Sequence, residues 1–282
     1  MRFALLLFCA TLSAQNPTPV PTPIGVATPG RGVNFYSIEK EKALGAQLAA
    51  QYRRQFQAID APAVNVYLDE LGQRLAAQAP ATGFSYTFEL VDDGQTWIHE
   101  AAAFPGGPVF VPASLILAAA DEDELAGMLA HAIAHIATRQ ETRQMTRGQM
   151  LNQATVPLIY MGGWNGYAIR QGNALAVPIA FLAFQRKREL ESDQVAAGIL
   201  FSAGYDPQAL ARYIERAQPT DPALRNAMAP YPDKATRIAA LQAAIQQLPP
   251  ATHSAHPGLD AIQQEVTRLT ARPAKVPPRL AR

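Results

Sequence analysis

From Ser37 onward the apolar positions fall at helical spacing. Leu44, Leu48, Tyr52 and Phe56 recur every four residues, behind Ser37 as an N-cap and with Glu39 and Glu41 in the first turn. A second helix opens at Asp60-Ala61-Pro62 and turns Val64, Tyr67, Leu68, Leu71 and Leu75 inward. The period then drops to two: Phe84, Tyr86, Phe88 and Leu90 alternate with Ser85, Thr87 and Glu89, which predicts a half-buried strand. Asp92-Asp93-Gly94 predicts a turn, Trp97 to Ala103 a second strand and Val109 to Val111 a short third, with Pro105-Gly106-Gly107 as a tight bend. Asp121-Glu122-Asp123-Glu124 reads as an acidic, capped helix start, and Leu125, Met128, Leu129, Ile133 and Ile136 continue it as an amphipathic helix. Gly162 to Gly166 breaks the next helical region. Asn173 to Phe184 is apolar but only 12 residues long, which fits a buried helix better than a membrane span. The helix turns polar from Arg186 and ends at Gly204, Asp206-Pro207 begins another, and a core helix covers about Thr236 to Leu248. One short helix is expected in the tail, near Asp260 to Thr270. No internal repeat is visible.

Composition sharpens the boundaries. With 49% hydrophobic and 17% charged residues, most of this 282-residue chain has the make-up of a folded domain. Residues 1–14 read as a secretory signal peptide: Arg2, an apolar stretch from Phe3 to Leu12, and cleavage near Ala14. Residues 15–33 form a Pro-rich linker, 34–249 the folded domain and 250–282 a Pro-rich C-terminal tail. Cys9, the single cysteine, leaves with the leader, so the exported chain holds no thiol. Removing Arg2 also balances the charges, which gives no argument for nucleic acid or an anionic membrane surface.

The chemistry centres on His131-Ala132-Ile133-Ala134-His135. Histidines four apart share a helix face and can hold one metal ion, although such pairs also arise from unrelated polar residues. A zinc site needs a third protein ligand and an open fourth position. Glu189 and Asp193 are also four apart on one helix face. The glutamate is placed to bind metal and the aspartate to orient a histidine; a solvated charge cluster after Arg186, Lys187 and Arg188 is the alternative. His99 reads as structural, and His253 and His256 as solvated residues of the tail. Trp164 and Tyr167 suit either a lid or the core.

Four segments together resemble a known family. Leu125 through Arg139 resembles an H-E-x-x-H helix, and Glu189 through Pro207 the E-x-x-x-D segment that follows it. Glu100 through Gly107 resembles a cleft-edge N-A-F-A-L-P-G-G, and Tyr231-Pro232 through Arg237-Ile238 an H-P-x-x-x-x-R-I. The family is that of the zinc metallopeptidases including the HtpX and CAAX-prenyl endopeptidases, and the resemblance is nearest its periplasmic members of the beta-barrel assembly-enhancing type. It implies an α+β, predominantly helical zincin (gluzincin-like) domain whose small sheet edges the cleft. It also implies one zinc ion per chain on His131, His135 and Glu189, with Asp193 behind them. Substrate would lie along Ala103, Phe104, Pro105, Gly106 and Gly107 by β-augmentation. Tyr231 and Arg237 would join the catalytic set.

Three departures qualify what the resemblance implies: Ala132 stands where the general base belongs, Tyr231 where a histidine does, and Glu100 where an asparagine does. Tyr231 suits either an oxyanion donor or a buried phenol. Glu100 reads as a stand-in base, a solvated residue, or the partner of a basic side chain. The function expected is that of a periplasmic zinc endopeptidase-type protein acting on misfolded or unassembled envelope proteins, with hydrolysis strongly impaired. The alternative is a non-catalytic, zinc-binding holder of unfolded chains. Partners in either case are extended polypeptide and the envelope assembly machinery, with no nucleic acid and no permanent membrane span.

Overall fold

The helical stripe of residues 44–52 is indeed one face of a helix, α1 (Ile38–Gln55), whose Leu48 is buried against Phe104 and Phe110. The computed structural model describes residues 32–55, 57–92, 100–151, 179–217, 232–253 and 256–271. The signal peptide, most of the linker, Phe56, His99, Trp164, Tyr167 and Tyr231 lie outside them, as do 93–99 of the expected turn and second strand and 173–178 of the apolar run. After α1 come β1 (Gln57–Ala58), α2 (Pro62–Ala76), β2 (Thr87–Asp92), β3 (Ala102–Ala103) and β4 (Pro108–Pro112). The rest is helical: α3 (Ala113–Ala118), α4 (Glu122–Ala137), α5 (Gln140–Leu151), α6 (Ile179–Ala203), α7 (Gln208–Ala217), α8 (Lys234–Ile245) and α9 (Leu259–Thr270). The architecture is α+β and predominantly helical, with a four-stranded sheet in the order β1-β2-β4-β3.

β2 and β4 run parallel, so the intervening chain crosses over, and β3 closes back on β4 as an antiparallel edge with Ala102 opposite Phe110. The turn between β3 and β4 needs its glycines. Gly106 has φ +86°, and Gly107 donates its backbone N–H to Phe104 O at 3.3 Å. A Cβ on Gly107 would strike Ser85 O at 2.0 Å, and one on Gly45 of α1 would strike Pro105 O at 1.6 Å. The turn is therefore clamped between α1 and the segment leading into β2.

α4 is the centre of the molecule. Asp121 caps it by accepting from Glu124 N at 2.8 Å, and the Glu124 carboxylate reaches back to Ala120 N at 2.8 Å, one residue before the cap. Leu125, Leu129 and Ile133 are fully buried among α2, α6 and α7, and each contributes roughly 1.5–3 kcal/mol by leaving water. α6 ends in a Schellman turn: Tyr205 N donates to Leu200 O, Gly204 N to Phe201 O, and Gly204 takes φ +87°. The tail helix α9 joins the same core through Leu259 and Val266, and Gln263 Nε2 donates to the carbonyls of Ile116 and Ala119 at 2.9 and 2.8 Å. This packing corrects the reading of His256 as solvated: its ring lies 4.2 Å from that of Tyr205, and its Nδ1 is 3.1 Å from Asp123.

Candidate metal centre

Helical geometry alone brings His131 and His135 to one face of α4, and their Nε2 atoms lie 3.0 Å apart. α6 crosses this face and presents Glu189, whose Oε2 is 3.4 Å from His131 Nε2 and 3.6 Å from His135 Nε2. A tetrahedral zinc ion bound at about 2.0–2.1 Å needs donors about 3.3 Å apart. The three edges, 3.0, 3.4 and 3.6 Å, bracket that value. Glu189 Oε2 is also buried without a hydrogen-bond partner among the described residues, the state of a donor whose natural partner is an ion. The three residues expected from the sequence are thus together, and they fit a metal.

Behind them, Asp193 sits one turn along α6. Its Oδ1 is 2.8 Å from His131 Nδ1, which leaves Nε2 of that ring facing the other donors. Asp193 is in turn gripped from α8: Arg237 Nε and Nη2 donate to its two oxygens at 2.8 Å each. Arg237 is buried and reaches the donors through Asp193 rather than facing them. Burial opposes ionisation of both acids. Even so, Arg237 holds the Asp193 carboxyl below its ordinary value, and His135 and His131 hold that of Glu189 well below. Burial likewise works against a charged His131, but the Asp193 and Glu189 carboxylates outweigh it and raise the ring to about 9.

Ala132 lies beside the first histidine, buried and 2% exposed, with no group able to take a proton. Glu100, just before β3, is half-buried, and its Oε1 is 4.0 Å from Arg237 Nη1. Burial pushes its carboxyl above the ordinary value despite Arg237. Of the cleft-edge residues, Ala103 is half-buried on the sheet's terminal strand, whereas Phe104, Pro105 and Gly106 are buried under α1 and Gly107 against Ser85. Ala103, Phe104 and Pro105 border a recess beside His135, closed on its other side by Glu41, Arg139 and Thr142.

Residues 62–245 match the sequence profile of Peptidase family M48. The chain belongs to peptidase family M48. Its domain is the zincin-like metallopeptidase domain of M48, and the edge sheet and two-histidine helix are parts of it. Among relatives, a Beta-barrel assembly-enhancing protease of Yersinia pestis is 30% identical over 191 residues, covering 64% of this chain and 38% of that protein. The protein of the same name from Escherichia coli (strain K12) is 26% identical over the same shares. This M48 chain therefore matches well under half the length of those relatives. A crystal structure of S. mikatae Ste24p aligns with a TM-score of 0.38 and 14% identity, over 70% of this chain and 55% of that one.

The sequence pattern passed over one feature of the site. Glu41, read as an ordinary first-turn acid, is buried. It accepts from Arg139 Nε at 2.7 Å, Thr142 Oγ1 at 2.6 Å and Asn34 Nδ2 at 3.0 Å. The signal was present: Glu41 precedes Leu44 and Leu48 in the same inward stripe of α1. Its grip holds Arg139, at φ +53°, against the end of α4. No helix among the described residues is long and apolar enough to cross a membrane.

Proposed function

We propose that the chain is a zinc metalloendopeptidase-type protein of the bacterial envelope that engages misfolded or unassembled proteins, with hydrolysis strongly impaired by Ala132. The observation that carries this reading is the set of three donors at zinc-like spacing beside a position with no base. The relatives named Beta-barrel assembly-enhancing protease and the leader-like residues 1–14 support the envelope and an assembly-related partner.

A zinc ion held there supplies Lewis acidity and makes a bound water more acidic. The chain's own residues do the rest. His131 and His135 donate Nε2 and Glu189 donates Oε2. Asp193 fixes the ring of His131, and Arg237 keeps Asp193 ionised and in place. The outer edge of β3 offers backbone groups to an extended chain. What is missing at position 132 is a carboxylate to take the proton of the attacking water and return it to the leaving amine. A positioned general acid–base contributes about a hundred- to ten-thousand-fold.

A second reading rests on the same alanine: binding without cleavage, as a holder of unfolded chains. Two measurements separate the readings. Metal analysis is expected to find one zinc ion per chain, and a casein-type assay little turnover by the parent and a rise of about a hundredfold or more in Ala132→Glu. Zinc without activity in either form favours the holder. Absence of zinc in both forms overturns the metal assignment.

A further inference from the structure

The charges around the three donors do not balance. Arg237, 2.8 Å from Asp193 and 4.0 Å from Glu100, sets one guanidinium charge against the carboxylates of Asp193, Glu100 and Glu189. With both histidines neutral, as metal ligation requires, two negative charges are left unmatched in a largely buried space, where an uncompensated charge is costly. A dication restores neutrality only if all three carboxylates are counted.

Two of them are already committed. Glu189 supplies a donor, and Asp193 holds His131 and takes both close contacts of Arg237 at 2.8 Å. Glu100 stands differently. Its 4.0 Å approach to Arg237 is too long for a hydrogen bond, and the guanidinium nitrogens nearest Asp193 are occupied. Yet Glu100 stands at the end of the chain that runs from His131 through Asp193 to Arg237, with steps of 2.8, 2.8 and 4.0 Å. β3, which begins two residues later, packs against α4, the helix that carries both histidines.

Resting on the zinc reading above, we propose that Glu100 is a positioning residue of the metal centre. Its carboxylate supplies the negative charge that this chain lacks at position 132, and so allows a divalent ion to be held without a net charge. The metal-ligand set is unchanged; what moves is the carboxylate that accompanies it, from the α4 helix to the strand edge.

The test is zinc affinity, titrated against a competing chelator, with metal-free melting curves as the check on folding. Glu100→Gln is expected to weaken zinc binding about ten- to a hundredfold, and Ala132→Glu added to it is expected to recover most of the loss. If Glu100→Gln does not fold, Glu100→Asp and Glu100→Asn carry the same comparison, since they match in size and differ in charge. Equal affinities for the charged and neutral residues overturn the proposal, as does a loss that Ala132→Glu leaves unrepaired. A parent that binds no zinc overturns the zinc reading and this one with it. A parent that binds zinc and is indifferent to residue 100 overturns this one alone.

Discussion

Arg237 shows how much of the site hangs on a single side chain. It is 1% exposed and its Nε and Nη2 both donate to Asp193, so removing it strands a buried carboxylate. Breaking a buried pair by deleting one partner costs about 3–5 kcal/mol. Arg237→Leu is therefore expected to lower the unfolding free energy by about that amount in urea titration. Arg237→Lys is expected to recover only part of it, because an ammonium cannot reach both oxygens at once. A loss below about 1 kcal/mol, the level of an exposed pair, would count against this account. Much of the donor set was readable because helical spacing is local: 131 with 135, and 189 with 193, are fixed by one turn of α4 and of α6. The Arg237–Asp193 pair was not readable as a contact, since it depends on how α8 lies on α6. Nor was Glu41, whose charge suggested water while its register pointed inward.

At the level of elements, the sequence was clearest where a period persisted. α1, α2, α4 and the start of β2 follow their stripes, and the caps at Asp121 and Gly204 appear where the residues demanded them. β1 escaped because two residues carry no period, and the sheet order escaped because register is set by partners distant in sequence. The clamp on the β3–β4 turn was likewise invisible until α1 was seen against it. Gly45 leaves no room for a methyl group, so Gly45→Ala must push α1 away from Pro105. Overpacking of this kind costs about 1–3 kcal/mol. The variant is expected to melt earlier and, because the same turn walls the recess beside His135, to bind extended peptide less tightly. A melting temperature equal to the parent's would show that α1 yields freely.

For the whole molecule, the short helix expected in the tail is part of the core. Val266 is fully buried, and Gln263 ties α9 to the end of α3. Val266→Asp puts an unpaired carboxyl into that seam and is expected to cost more than about 2 kcal/mol, read by thermal melting. An unchanged melt would mean that α9 contributes little to the folded state. The placing of the donors has a kinetic side as well. His135 and Glu189 are 54 residues apart along the chain, so an ion shared between them closes a loop much as a covalent cross-link does. For a cross-link of that span the chain-entropy gain is about 4 kcal/mol. Parting α4 from α6 would open that loop, and the rate at which chelator strips a bound ion then reads out the opening of the centre.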